Sequence, residues 1–150
     1  MLYPTDKGSE QIFEHFRTIC RTNGIKLTPQ RLLIYEELLN TNEHPSTDMV
    51  YQWVRKKIPS ISLDTVNRTL LTFCDIGIAK LVAGTGNSKR FDGNLEQHHH
   101  FECMKCKKMV DIHHETYDQL PIPQEFQDKF NVLRQIVRLE GLCDTCAQET

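Results

Sequence analysis

The chain has 150 residues, 39% of them hydrophobic and 25% charged, with a formal net charge of −2. That length suits one ordinary domain or two small ones, the composition is that of a soluble globular protein, and no run of 18 apolar residues offers a membrane span. The opening "MLYPTDKGSEQ" lacks the basic and apolar regions of a signal peptide, so the expected setting is the cytoplasm. Thiols stay reduced there, and six cysteines then point to metal or redox chemistry rather than disulfides.

Helix signals fill the first half. Ser9 is placed to cap a helix with an apolar face of Ile12, Phe13, Phe16, Ile19 and Cys20, ending before Gly24. Thr28-Pro29 reads as an N-cap followed by proline at the first helical position, opening a helix that presents Leu32, Leu33, Tyr35, Leu38 and Leu39. A third starts at Ser46 or Thr47 with Met49, Val50, Trp53 and Val54 inward. A fourth runs from Ser62 to about Cys74, buries Val66, Leu70 and Phe73, and is ended by Gly77. The period then changes. "IAKLVAGTGNSKRFD" reads as a hairpin, and helices followed at once by a short hairpin suggest a winged helix-turn-helix. "GTGNSK" fits neither phosphate-loop pattern and is the expected hairpin tip.

Residues 93–97, "GNLEQ", read as a hinge between a winged-helix DNA-binding domain over 1–92 and a second domain over 98–150. Lys+Arg against Asp+Glu is 12 to 10 in the first part and 6 to 10 from 93 onward, so a mildly basic part precedes an acidic one. The second part reads as strand, CxxC turn, strand; then a helix start marked by Pro121 and Pro123 with Phe126 and Phe130 one turn apart. A strand-like "VLRQIVRLEG" follows, with Leu133, Val137 and Leu139 on one side and Arg134, Arg138 and Glu140 on the other; "CDTC" comes near the end. The expected class is α+β: a winged helix-turn-helix plus a small α/β domain.

Cys103, Cys106, Cys143 and Cys146 form two CxxC knuckles, enough to give a tetrahedral structural zinc all four thiolates at about 2.3 Å. The 36 residues between the knuckles exceed a zinc-ribbon spacing, so the ion would clamp a small domain. The other reading is a pair of redox-active thiol motifs. Cys20 and Cys74 are expected as packed core thiols. "HHHFECMKCKKMVDIHH" also holds five of the seven histidines. On a strand, His98 and His100 share a face and His99 takes the other. With Asp92 and Asp111 near in sequence, the histidines could meet Fe(II), Mn(II) or Zn(II); free surface histidines are the alternative, and the one favoured for His113 and His114. His100-x-Glu102 beside CxxC is like a zinc-deaminase signature, but no Pro-Cys-x-x-Cys lies well downstream. A zinc-dependent hydrolase or deaminase is kept as a distant alternative; the expected protein is not an enzyme.

"LTPQR", "HPSTDMVY", "ISLDTVNRTL", "RFD", "HHHFECMKC" and "CDTC", in this order, resemble the motifs of the ferric uptake regulator (Fur) family over residues 10 to 146. The resemblance implies a homodimeric, metal-dependent transcriptional repressor that binds a palindromic double-stranded DNA operator. It implies structural Zn(II) on Cys103, Cys106, Cys143 and Cys146. It also implies a regulatory Fe(II) or Mn(II) on His44, Asp92, His98, His100 and Asp111, joining the two domains. Asp at 111 resembles the peroxide-sensing, PerR-like branch; the alternative is an iron-responsive repressor. In a peroxide sensor of that kind a ligand histidine, His44 or His98, is oxidised and metal is lost. A further histidine site of some iron sensors aligns with Gln97 and Gln135 and is expected to be missing. On the DNA face the resemblance implies minor-groove entry by Lys26, phosphate contact by Arg31 and base or backbone contacts by Thr65, Asn67 and Arg68. The family's usual Tyr-Arg is here Asn67-Arg68, so the operator is expected to differ; asparagine can read an adenine edge.

Overall fold

The computed structural model describes residues 8–82 and 89–149, in two compact units, Met1–Leu95 and Glu96–Thr150. The first opens with four helices: α1 (Ser9–Asn23), α2 (Pro29–Leu39), α3 (Thr47–Arg55) and α4 (Leu63–Asp75). Three start where a hydroxyl can satisfy an orphan backbone N–H. Arg31 N donates to Thr28 Oγ1 at 3.2 Å, Met49 N to Ser46 Oγ at 3.3 Å and Thr65 N to Ser62 Oγ at 3.1 Å. Each such cap is worth about 1 kcal/mol. Ser46, not Thr47, is the cap of α3. Helix α1 differs from the sequence expectation: Gly8 holds the N-cap position and Ser9 is already helical, a one-residue shift common at helix ends. Gly24 and Gly77, at φ 65° and 82°, turn the chain out of α1 and α4 in the left-handed region open to glycine.

The core of this unit is aromatic at its centre. Phe16 of α1 stacks on Tyr35 of α2 at 4.9 Å between centroids, and Phe73 of α4 meets both edge-on at 5.7 and 5.9 Å. Leu38, Val50, Val54, Val66 and Leu70 close around them. Ile34, not singled out in the sequence, is fully buried, whereas Met49 and Trp53 are only half-buried. Strands β1 (Lys80–Val82) and β2 (Arg90–Asp92) pair antiparallel, Leu81 opposite Phe91. The hairpin tip expected at "GTGNSK" lies outside the described residues apart from Lys89. Gly93 is needed for close approach: a Cβ there would meet Leu38 Cγ at 3.2 Å and Leu38 O at 3.3 Å.

The second unit is a three-stranded sheet of order β4-β3-β5. Strand β3 (His99–Cys103) is central, antiparallel to β4 (Met109–Ile112) and parallel to β5 (Arg138–Gly141). His100 faces Asp111 on one neighbour and Arg138 on the other. Three short helices complete it: α5 (Glu115–Asp118), α6 (Gln124–Lys129) and α7 (Asp144–Gln148). The strand expected through "VLRQIVRLEG" shrinks to its last four residues, α5 was not foreseen, and β3 begins one residue after His98. Buried hydrophobic residues are scarce in this unit: Cys103, Met109 and Cys146 among the described residues. Leu133 is 89% exposed and Phe130 60%, so the chain by itself leaves much apolar surface here uncovered. Among the described residues no helix is long and apolar enough to cross a membrane.

Candidate functional site

The two CxxC knuckles meet in the second unit. The sulfurs of Cys103, Cys106, Cys143 and Cys146 all lie within 4.8 Å of one another, Cys106 Sγ and Cys143 Sγ at 3.9 Å. Cys103 ends the central strand, and the first knuckle closes through Lys107 N donating to Cys103 O and Cys103 N to Lys108 O, both 2.9 Å. Lys107 takes a left-handed φ of 65° to do so. Cys143 and Cys146 flank the start of α7, and Cys143 N donates to Cys103 Sγ at 3.4 Å. N–H groups of Cys106 and Cys143 directed at its sulfur push the Cys103 thiol down to about 6. Hydrogen bonding to Cys143, then burial, pushes Cys146 up to about 12. One sulfur is therefore a ready thiolate at neutral pH, and another must surrender its proton to a metal. Four convergent thiol groups with no S–S bond fit tetrahedral zinc.

Beside them, strand alternation separates the histidines. His98 and His100 turn to the same side, rings 4.7 Å apart, with Nε2 atoms 3.4 and 3.7 Å from Asp111 Oδ1 of β4. His98 Nδ1 lies 2.7 Å from Glu96 O, which can only accept, so Nδ1 carries a proton and, in the neutral ring, Nε2 offers its lone pair. That is the tautomer of a metal-ligating histidine with its second nitrogen held by a carbonyl. His99 is the reverse case. It is fully buried, its Nδ1 accepts from Val137 N at 2.9 Å, and its Nε2 donates to Asp118 Oδ1 at 2.8 Å. Both nitrogens are committed to the fold, so His99 pins β3 to the segment before β5 and to α5. His113 and His114 are exposed; the second caps α5 through Nδ1. Gln97 and Gln135 direct their amides to the carbonyls of Gln135 and Leu120.

In the first unit the corresponding pair is His44 and Asp92. His44 Nε2 stands 3.7 Å from Asp92 Oδ2, and Asp92 Oδ1 accepts from Asn94 N at 2.8 Å. Arg90 Nη1 donates to His44 O at 3.2 Å and Phe91 N to Pro45 O at 2.9 Å, so strand β2 holds the loop that carries His44. Separations of 3.4 to 3.7 Å are long for hydrogen bonds and short enough for both atoms to reach one ion. Each set is imidazole plus carboxylate, the mixture that suits Fe(II) or Mn(II).

The outer face of α4 carries Asp64, Thr65, Asn67 and Arg68. Arg68 Nε binds Asp64 Oδ2 at 2.9 Å, and Asn67 Oδ1 accepts from Thr47 Oγ1 of α3 at 3.1 Å. Lys26 is exposed just before α2, and Arg31 Nη1 donates back to Lys26 O at 2.6 Å. Asp64 and Thr47 were not singled out as partners of the sequence-predicted readers. The i, i+4 spacing could have found the first; the second depends on how α3 crosses α4.

Comparison with known proteins agrees with this picture. The family model for the ferric uptake regulator family matches residues 22–140. Over 129 residues the chain is 36% identical to the peroxide-responsive repressor PerR of Staphylococcus epidermidis, covering 86% of each chain. The fold is that of the ferric uptake regulator Fur of Helicobacter pylori, with a TM-score of 0.76 at 20% identity over 94% of this chain and 95% of that one. The Campylobacter jejuni peroxide stress regulator gives a TM-score of 0.65 at 25% identity, covering 89% and 98%. The expected class, a winged helix-turn-helix with a small α/β domain, is thus borne out. The hydrolase or deaminase reading falls away, because these relatives are transcriptional regulators and not enzymes. With a family model spanning most of its length and a relative above 30% identity across 86% of it, the chain belongs to the ferric uptake regulator family.

Proposed function

We propose that the chain is a cytoplasmic, homodimeric, metal-dependent repressor that binds a palindromic operator and is released from it by peroxide. The observation that carries this reading is the sorting of ligand chemistry: four sulfurs in one cluster, imidazoles and carboxylates in the others. The sulfur cluster holds Zn(II) structurally. His44 and Asp92 of the first unit, with His98, His100 and Asp111 of the second, close on one Fe(II) or Mn(II). An ion shared in this way fixes the angle between a DNA-binding domain over 1–92 and a dimerisation domain over 98–150, across a hinge at 93–97. In a dimer that angle sets the spacing of two reading heads, and only a spacing near 34 Å fits successive turns of the major groove. Metal binding selects the competent arrangement by population shift. The apolar surface around Phe130 and Leu133 is of the kind that a second copy covers.

The peroxide signal is supported by Asp111 and by the relative at 36% identity, which is named peroxide-responsive. Bound Fe(II) supplies the redox chemistry with hydrogen peroxide. By the resemblance to peroxide sensors, His44 or His98 takes up the oxygen, and oxidised imidazole no longer holds the two units together. The test loads the full chain with Fe(II) or Mn(II), binds it to operator DNA, and adds stoichiometric peroxide. Release of the Fe(II) form alone, with one added oxygen on a peptide containing His44 or His98, is the expected result. Fe(II) protein that stays bound would point instead to iron-responsive repression.

A further inference from the structure

We infer that Asp64 and Thr47 are specificity-determining positioning residues: Asp64 aims the guanidinium fork of Arg68 at a guanine in the operator, and Thr47 fixes the amide of Asn67 to read the neighbouring base. The inference rests on the repressor reading above and concerns how that repressor chooses its sequence.

The Arg68–Asp64 pair is 71% and 72% exposed. A one-turn ion pair so open to water contributes little to stability. It does not serve general DNA affinity either, since a carboxylate on the face offered to phosphates opposes binding. What it controls is which donors arginine has left. Guanidinium carries five N–H donors in a rigid fork. With Nε bound to Asp64, the two Nη groups remain at the outer end, and among the described residues no hydrogen bond engages them. Their parallel N–H bonds match the adjacent O6 and N7 acceptors of guanine in the major groove. Adenine sets an amino donor beside N7 and offers only one acceptor to the fork. The carboxylate also offsets the attraction of Arg68 to phosphate.

An independent contact organises the adjacent residue. Thr47 Oγ1 donates to Asn67 Oδ1 at 3.1 Å from a different helix. The threonine hydroxyl anchors the amide plane, here with Oδ1 as the end turned to α3. The second lone pair of Oδ1 and the Nδ2 donors then lie side by side, the pattern that pairs with N6 and N7 of adenine. The remaining hydroxyls of this face are spent on the helix itself. Thr65 Oγ1 meets Ser62 Oγ at 2.8 Å, and Thr72 Oγ1 donates to Arg68 O at 2.9 Å. Two readers, each with its own holder, are what α4 presents.

The experiment selects duplexes from a randomised library with the full-length, zinc- and Mn(II)-loaded protein. Affinities are then measured on duplexes changed at single base pairs, for the wild type, Arg68→Ala, Asp64→Asn, Asp64→Glu and Thr47→Val. A guanine whose preference is lost in Arg68→Ala is expected in each half-site. Asp64→Asn should bind unrelated DNA more tightly while its preference for that guanine falls about tenfold. Asp64→Glu should keep most of the preference, and Thr47→Val should relax only the adjacent position. Thermal midpoints should move by no more than a few degrees, since the first-turn charge of Asp64 contributes only modestly to α4. If Asp64→Asn gains affinity equally on every duplex and keeps its base preference, Arg68 sits on phosphate and the inference is wrong. If the wild type retains no duplex in Mn(II), the repressor reading itself falls and takes this one with it.

Discussion

His44 faces Asp92 across 3.7 Å from Nε2 to Oδ2, and it does so from a backbone φ of +50°. Left-handed backbone costs a non-glycine residue about 1–2 kcal/mol. The cost persists because β2 holds the loop from both sides, through Arg90 Nη1 on His44 O and Phe91 N on Pro45 O. Strain maintained by surrounding structure is characteristic of functional positions. Since asparagine tolerates this conformation better than other side chains, His44→Asn should fold with a thermal midpoint within a few degrees of wild type. It should keep its zinc and lose the gain in operator affinity on adding Mn(II), by tenfold or more. An operator titration with and without Mn(II) checks this; a variant that kept the full gain would remove His44 from the regulatory site.

Asp111 sits between two imidazoles, its Oδ1 3.4 Å from His98 Nε2 and 3.7 Å from His100 Nε2. Asp111→Glu lengthens the arm by one bond, about 1.5 Å, and moves the carboxylate out of that notch. Mn(II)-dependent DNA binding should survive within about tenfold, because the ligand type is kept. Peroxide release of the Fe(II) form should slow, because the placement of the carboxylate relative to His98 changes. Release rates on operator DNA at fixed peroxide measure the effect, and an unchanged rate would take the choice of signal away from residue 111.

Cys20 and Cys74 lie outside both ligand sets, and burial pushes both thiols above the ordinary value, with Asp75 adding to the rise at Cys74. The thiolate is the reactive form, so a raised value means less of it at pH 8 and slower chemistry. In the folded, zinc-loaded protein, alkylation of these two residues should be slower than that of a free cysteine peptide at pH 8, and the rate should still be climbing at pH 9. Peroxide, which also attacks thiolates, should leave both unmodified at stoichiometric dose. Peptide mass mapping reads both outcomes, and early sulfenic acid on Cys20 or Cys74 would place the sensor chemistry elsewhere.

What was legible in the sequence follows the range of the interactions involved. Caps at Thr28, Ser46 and Ser62, the glycine stops at 24 and 77 and the inward residues of α4 are local, and each stands where spacing put it. The separation of His99 from His98 and His100 is equally local, being strand alternation. The role of His99 was not legible, because its partners Asp118 and Val137 lie 19 and 38 residues away. Parallel pairing of β5 with β3 and the shortness of β5 are tertiary outcomes for the same reason. At the DNA face the chain showed which residues of α4 point outward. It did not show that Thr47 crosses from α3 to hold one of them.

The second unit has few buried apolar side chains, and its cysteine cluster gathers the end of β3 and both flanks of the start of α7. A core that small does not supply a stable fold by hydrophobic burial alone, whereas a structural zinc contributes on the order of 10 kcal/mol. The first unit, with Phe16, Phe73, Phe91 and six aliphatic residues fully buried, has a hydrophobic core of its own and is expected to hold without metal. Stripping zinc with a strong chelator, or substituting Cys143→Ser, should therefore abolish hydrogen-exchange protection at the amides of His100 to Cys103 while those of Leu33 to Leu38 in α2 stay protected. Restoring zinc should return β3 protection in the wild type and not in the variant. If β3 amides remain protected in zinc-free protein, the cluster is not what holds this sheet, and the structural assignment of the four cysteines would have to be abandoned in favour of redox chemistry.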